Sequence, residues 1–217
     1  MTRAKLIAFA GLDGAGKTTQ AELTARWMRQ RGASVTAVTS VGPSFTKRVL
    51  SDAAAELGLP DYMDLLGADM TRLVGMMVRY RDWTQTLLPA LAVDEFVVVD
   101  RYLACFFASV RALGTNNEQL LRTILRALPE PDLTILLRVS PETAVARLRK
   151  RATDDERLEY LTAMDQAYAT LPDYGDFVTV DGDAESWQVQ ERIQAAVGDW
   201  LRGEYALAGL GSRDDWQ

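Results

Sequence analysis

The sequence predicts an α/β protein, a five-stranded parallel sheet flanked by helices on both faces. Three observations predict it. Short apolar runs of strand length alternate with longer segments of helical periodicity, the order that builds a parallel sheet. The first run leads straight into Gly11-Leu12-Asp13-Gly14-Ala15-Gly16-Lys17-Thr18, a G-x-x-x-x-G-K-[ST] loop that needs a strand before it and a helix after it. The chain has 217 residues, 48% of them hydrophobic, which suffices for one sizeable core.

Each element follows from local pattern. Ala4 to Ala10 is an apolar run fit for a buried strand. A helix follows Lys17, with Leu23 and Trp27 on one face, and Gly32 closes it. Val35 to Thr39 reads as the second strand, and Ser40 to Ser44 as a loop around Gly42-Pro43. Phe45 to Leu57 is helical and ends at Gly58. Asp61 caps a long helix expected to reach Ala92, with a break near Asp82. Glu95 to Asp100 is the third strand, β-branched and buried in character. Tyr102 to Leu113 and Asn117 to Ala127 are helices on either side of Gly114. Leu133 to Val139 is the fourth strand, and Pro141 then opens a helix in the position prolines favour. A further helix runs to about Leu171, Phe177 to Val180 is the fifth strand, and Glu185 to Leu201 is a last amphipathic helix. Residues 1–202 are thus expected to form one domain, with 203–217 as a tail.

The loop specifies chemistry. Its glycines let the backbone turn tightly and aim N–H groups inward, where they and the positive end of the next helix cradle phosphate. Gly11, Gly14, Ala15, Gly16, Lys17, Thr18 and Thr19 are therefore the candidate ATP-binding residues. Lys17 is placed to reach the terminal phosphates, and the Thr18 hydroxyl to ligate Mg²⁺. At the end of the third strand, Asp100 is placed to hold Mg²⁺ or its water, and Arg101 to bind a second phosphate group. An acid that orients water often follows that aspartate in hydrolytic ATPases; here the next residue is a cation. No N-K-x-D guanine-reading motif occurs.

Composition narrows the class. The net charge of −6 argues against broad binding of nucleic-acid polymer. A single cysteine, Cys105, excludes an intrachain disulfide framework, and the absence of histidine excludes His-dependent triads and His-ligated zinc. No run is long and apolar enough to span a bilayer, and the N-terminus lacks the apolar core of a signal peptide; a soluble cytoplasmic protein without a membrane partner is expected. Met70, Met76 and Met77 are read as core or pocket lining, and Trp83, Trp187 and Trp200 as packing residues.

Over nearly its whole length the chain resembles the thymidylate kinase family. The residues that carry the resemblance are Gly11 to Gln20 with its acid Asp13, Pro89-Ala90-Leu91, Asp100-Arg101-Tyr102, Pro131-Asp132-Leu133-Thr134, Val139-Ser140-Pro141-Glu142, the basic run Arg147 to Arg151, and Glu156-Arg157-Leu158-Glu159. The resemblance implies a P-loop kinase fold with a small helical lid at about 147–157, a homodimer, and Mg-ATP-dependent phosphorylation of a nucleoside monophosphate, dTMP or a related or modified nucleotide. By position, Asp13 would contact the acceptor sugar, Arg101 its phosphate, and Arg79 would face the acceptor, with Cys105 nearby. The loop has no arginine of its own, so Arg147, Arg149 or Arg151 would supply the cation over the transferring phosphoryl.

The departures lie on the acceptor side. Thr39 to Pro43 replaces the family's Arg-Glu-Pro-Gly-Gly, and Gly75 stands where the family has a stacking aromatic. Cys105, Ser109 and Val110 replace its Ser, Tyr and Gln, and Arg138 stands where an acid is common. An efficient dTMP kinase is therefore not expected. Two other readings stay open at this point: a nucleotide-binding regulator with weak catalysis, and an NTPase that uses water as acceptor.

Overall fold

The computed structural model describes residues 3–39, 44–151 and 158–207. Five strands, β1 (Lys5–Gly11), β2 (Val35–Thr39), β3 (Phe96–Asp100), β4 (Leu133–Arg138) and β5 (Val178–Asp181), pair in parallel in the order β2-β3-β1-β4-β5. Every residue of β3 is buried, as is all of β1 after Lys5, so helices cover both faces of the sheet. That coverage is why these strands read as continuous apolar runs rather than as alternation.

The helices are α1 (Lys17–Gln30), α2 (Ser44–Glu56), α3 (Tyr62–Val93), α4 (Leu103–Ala112), α5 (Glu118–Leu125), α6 (Pro141–Arg151), α7 (Leu158–Ala169) and α8 (Ser186–Leu207). α1 packs with α8, and α4 with α7. The Asp61 carboxylate caps α3 by accepting the Met63 N–H at 2.9 Å, and the Ser140 hydroxyl accepts the Thr143 N–H at 3.1 Å at the start of α6. Asp132, which opens β4, accepts the Leu6 N–H at 2.8 Å and pairs with Arg3 and Lys5, tying β4 to β1 before the ladder begins.

Three expectations change. The break in α3 falls at Gly67 (φ 71°, ψ 164°), not near Asp82. Only glycine takes that backbone geometry without strain, whereas at Asp82 the Thr86 hydroxyl donates back to the carbonyl at 2.7 Å and the helix runs on through Trp83. The last helix continues through Gly203 to Leu207, past the expected start of the tail; 208–217 lie outside the described residues. Met76 and Trp83 are core, but Met70, Met77 and Trp187 are 48%, 54% and 61% exposed and are not among the residues that line the cavity beside the loop.

β1 has β3 on one side and β4 on the other, so the strand order reverses there. The crevice beyond its carboxyl end is where ligands bind in open sheets of this kind. The loop 11–17 fills the floor of that crevice. Gly11 has φ 137°, and a Cβ on it would run into the Leu137 carbonyl of β4; a Cβ on Gly14 would lie 2.6 Å from the Ala144 carbonyl of α6. Gly11→Ala is accordingly expected to destabilise the fold by roughly 2 kcal/mol or more, because strain and a backbone collision add. Gly16 also has positive φ, but no atom lies near its Cβ position, so Gly16→Ala is expected to cost only about 1 kcal/mol. Urea unfolding midpoints of the two variants check the difference.

Candidate active site

Lys17 begins α1 and its side chain is buried. Its ammonium folds back over the loop and donates to the Gly11 carbonyl at 2.9 Å and the Leu12 carbonyl at 2.7 Å, and it lies 3.5 Å from the Asp13 carboxylate. Burial pushes its pKa down and the nearby Arg101 charge adds to this, while Asp13 pulls the other way. A buried ammonium held by carbonyl oxygens is ready to exchange those partners for phosphate oxygens.

Arg101 follows β3 directly and its N–H donates to the Phe9 carbonyl at 3.2 Å. It is the single non-glycine residue with positive φ (69°) among the described residues. Such a conformation costs of order 1–3 kcal/mol and persists where the surroundings hold it. Here the hold is the ion pair of its guanidinium with Asp13. Burial would push the Asp13 carboxyl up, but the Lys17 and Arg101 charges outweigh it and keep the carboxyl below its usual value. Burial opposes the charge on Arg101, but Asp13 together with Cys105 and Asp100 outweighs it and the guanidinium pKa rises.

Asp100 lies opposite Phe9 in the sheet register and is buried. One carboxylate oxygen accepts a short hydrogen bond from the Thr18 hydroxyl, and the other, Oδ1, is buried without a partner. No cluster of three acidic or sulfur ligands exists among the described residues.

One cavity opens onto this floor, between α2, α3, α4 and α7. Asp13, Arg79, Arg101 and Cys105 all line it, as expected. Burial, then the Arg101 charge, lowers the Arg79 pKa. Cys105 donates weakly to the Phe9 carbonyl at 3.8 Å. Gly75 lines the cavity too, and a Cβ there would meet open space. Val110 does not line it: that side chain is fully buried in the core, and Ser109 faces the cavity instead.

The lid residues divide. Arg147 of α6 donates to the Gly182 carbonyl at 3.0 Å, in the turn after β5 that packs over Ala15. Arg149 is exposed. The side chain of Arg151, residues 152–157 with Glu156 and Arg157, and Ser40 to Pro43 lie outside the described residues. Ala15, Thr18 and Thr19 occupy the turn and the first turn of α1, as the loop pattern requires.

Sequence reasoning missed three residues. Tyr168 of α7 is buried, and its hydroxyl both accepts the Gly11 N–H at 3.1 Å and donates to the Gly11 carbonyl at 3.0 Å. Burial pushes that phenol well above its ordinary pKa, so it stays a protonated clamp on the loop. Arg72 and Thr71 line the cavity from α3. The signal for Arg72 was its spacing from Gly75 and Arg79, which puts all three on one helix face.

A thymidylate kinase family model matches residues 9–193. The chain is 31% identical to the "Probable thymidylate kinase" of Archaeoglobus fulgidus over 198 residues, covering 90% of this chain and 96% of that one. It is 34% identical to the thymidylate kinase of Xanthomonas campestris pv. campestris over 205 residues, covering 91% and 86%.

The chain belongs to the thymidylate kinase family. It is accordingly a nucleoside-monophosphate kinase, a phosphotransferase. No described helix is long and apolar enough to cross a membrane.

Two outcomes follow from this geometry. Asp13 has a folded pKa below its unfolded value, so its ionisation stabilises the fold fully above about pH 4 and that contribution is lost as pH falls through the folded value. Asp13→Asn is expected to flatten the fall of stability as pH drops below about 4, read by urea unfolding over that acid range. Tyr168→Phe leaves the Gly11 N–H without its buried acceptor, while the Gly11 carbonyl keeps the Lys17 ammonium, and is expected to cost about 1–3 kcal/mol, read by the same method.

Proposed function

We propose that this family member transfers the γ-phosphoryl of Mg-ATP to a nucleoside monophosphate, dTMP or a related or modified nucleotide, giving the diphosphate and ADP. One observation supports this most directly. Asp13 touches both Lys17, on the loop side, and Arg101, on the cavity side. A polyphosphate held by the loop and Lys17 and a monophosphate held by Arg101 and Arg79 would therefore meet across a single carboxylate.

The residues fit a Mg²⁺ ion. The Thr18 hydroxyl gives its proton to Asp100, which leaves its oxygen lone pairs for a metal, and the orphaned Oδ1 of Asp100 suits a metal-bound water. One or two protein ligands plus phosphate oxygens is the usual way this ion is held. When bound, it would neutralise charge on the phosphates. Lys17 acts on the same phosphates in a water-poor setting, where its charge counts for most. Asp13, fixed by two cations, presents its remaining acceptor capacity to the acceptor sugar. Arg147 would serve as the lid cation, since α6 holds it beside the loop, whereas Arg149 points to solvent.

The same reading includes a homodimer and a cytoplasmic setting. The exposed Met70, Met77 and Leu88 fall on one stripe of α3 and supply an apolar surface for a second copy.

The test is ADP release from Mg-ATP with and without a panel of monophosphates. Acceptor-dependent release is expected. Release independent of acceptor would mean an NTPase, and negligible release in all cases a nucleotide-binding regulator. Lys17→Ala is expected to lower kcat by roughly two orders of magnitude, about 3 kcal/mol, and Arg147→Ala to lower kcat far more than Arg149→Ala does. Near-normal turnover by Lys17→Ala would remove the kinase reading.

A further inference from the structure

The cavity has two ends. At the loop end stand Asp13, Arg101 and Arg79. Seven residues earlier on α3, about 10 Å along the helix axis at 1.5 Å per residue, stands Arg72. Its Nη1 donates to the Ser109 hydroxyl at 3.1 Å, and Ser109 in turn donates to the Phe106 carbonyl at 2.8 Å. The guanidinium is thus braced from α4 on its Nη1 side. Its Nε–H is buried and has no partner. Beside it the Thr71 side chain, 6% exposed and lining the same cavity, also has an unpartnered hydroxyl. Between the two ends, Gly75 leaves open space. Four cations, Lys47, Arg72, Arg79 and Arg101, line this cavity against one acid, Asp13.

Buried donors without partners cost free energy until a ligand supplies acceptors. With Nη1 held by Ser109 and Nε without a partner, the side-on edge of Arg72, Nε and Nη2, is left for other acceptors, and such an edge matches two adjacent acceptor atoms, as the guanidinium fork does with O6 and N7 of guanine. Thymine offers only O4 at that edge, flanked by a methyl group, and adenine offers N7 beside an amino donor. We propose that Arg72, braced by Ser109, selects an acceptor nucleotide whose base carries two adjacent hydrogen-bond acceptors on the edge away from the sugar, and that Gly75 makes room for it. The proposal rests on reading this cavity as the acceptor site. Two sources share the chemistry: a guanine, through O6 and N7, or a pyrimidine with an oxygen substituent next to O4.

The experiment measures kcat/KM under saturating Mg-ATP for dGMP, 5-carboxy-dUMP, dTMP and dAMP, in the wild type and in Arg72→Met, Arg72→Lys and Gly75→Phe. In the wild type, dGMP or 5-carboxy-dUMP should exceed dTMP by roughly tenfold or more, and which of them does so identifies the source. Arg72→Met should bring that ratio to within about threefold of one. Arg72→Lys should do the same, because it keeps the charge and loses the fork. Gly75→Phe, whose ring enters open space, should shift the ratio back toward dTMP and does not depend on the Arg72 variants folding. Preference for dTMP over both test nucleotides would overturn the proposal while leaving the kinase reading intact. So would a ratio that Arg72→Met leaves unchanged. Failure of every monophosphate to release ADP would overturn both.

Discussion

Asp13 is the contact on which the site depends. Its carboxylate receives the Lys17 ammonium from one side and the Arg101 guanidinium from the other. Without it, the buried Lys17 ammonium and the half-buried Arg101 guanidinium would repel each other across the crevice. The strained backbone of Arg101 is held by the same contact, together with its N–H bond to β1. Glycines at positions 11 and 14 let the loop lie against β4 and α6 closely enough for this geometry to form. Tyr168 then fixes the first loop residue from the far side, through α7.

The electrostatics are those of a site that awaits its ligand. Burial and mutual repulsion weaken the charges on Lys17 and Arg79, and the described residues supply few acids to relieve them. Anionic phosphate on either side of Asp13 would repay that cost. Because β1 and β3 are neighbours, with Asp100 opposite Phe9, the loop after one strand faces the arginine after the other. The far end of the cavity is formed by α3 and α4, where Arg72 and Ser109 meet.

Much of this was legible from residues in order. The loop pattern, the Asp100-Arg101 pair and the apolar runs identified every strand and the residues at the carboxyl ends of β1 and β3, because those features are local: a strand end, a turn, a helix start. The break in α3 was misplaced because Asp82 looked like a polar interruption, while Gly67 carried the real backbone requirement. That Val110 lies in the core and Ser109 in the cavity was not legible, because one residue along a helix turns a side chain by about 100°. Tyr168 was invisible because its partner, Gly11, lies far away in the chain.

The sequence by itself determined the fold class, the strand–loop–helix unit around Gly11 to Thr18 and the family. These rest on short-range geometry, in which residue type and spacing suffice. Only the tertiary structure decided which groups face one another across the cavity: that Asp13 joins Lys17 to Arg101, that Arg147 rather than Arg149 turns toward the loop, and that Arg72 is braced by Ser109 beside the space at Gly75. Those pairings join residues on different elements. Their geometry follows from how helices settle on the sheet, and no spacing along the chain encodes it.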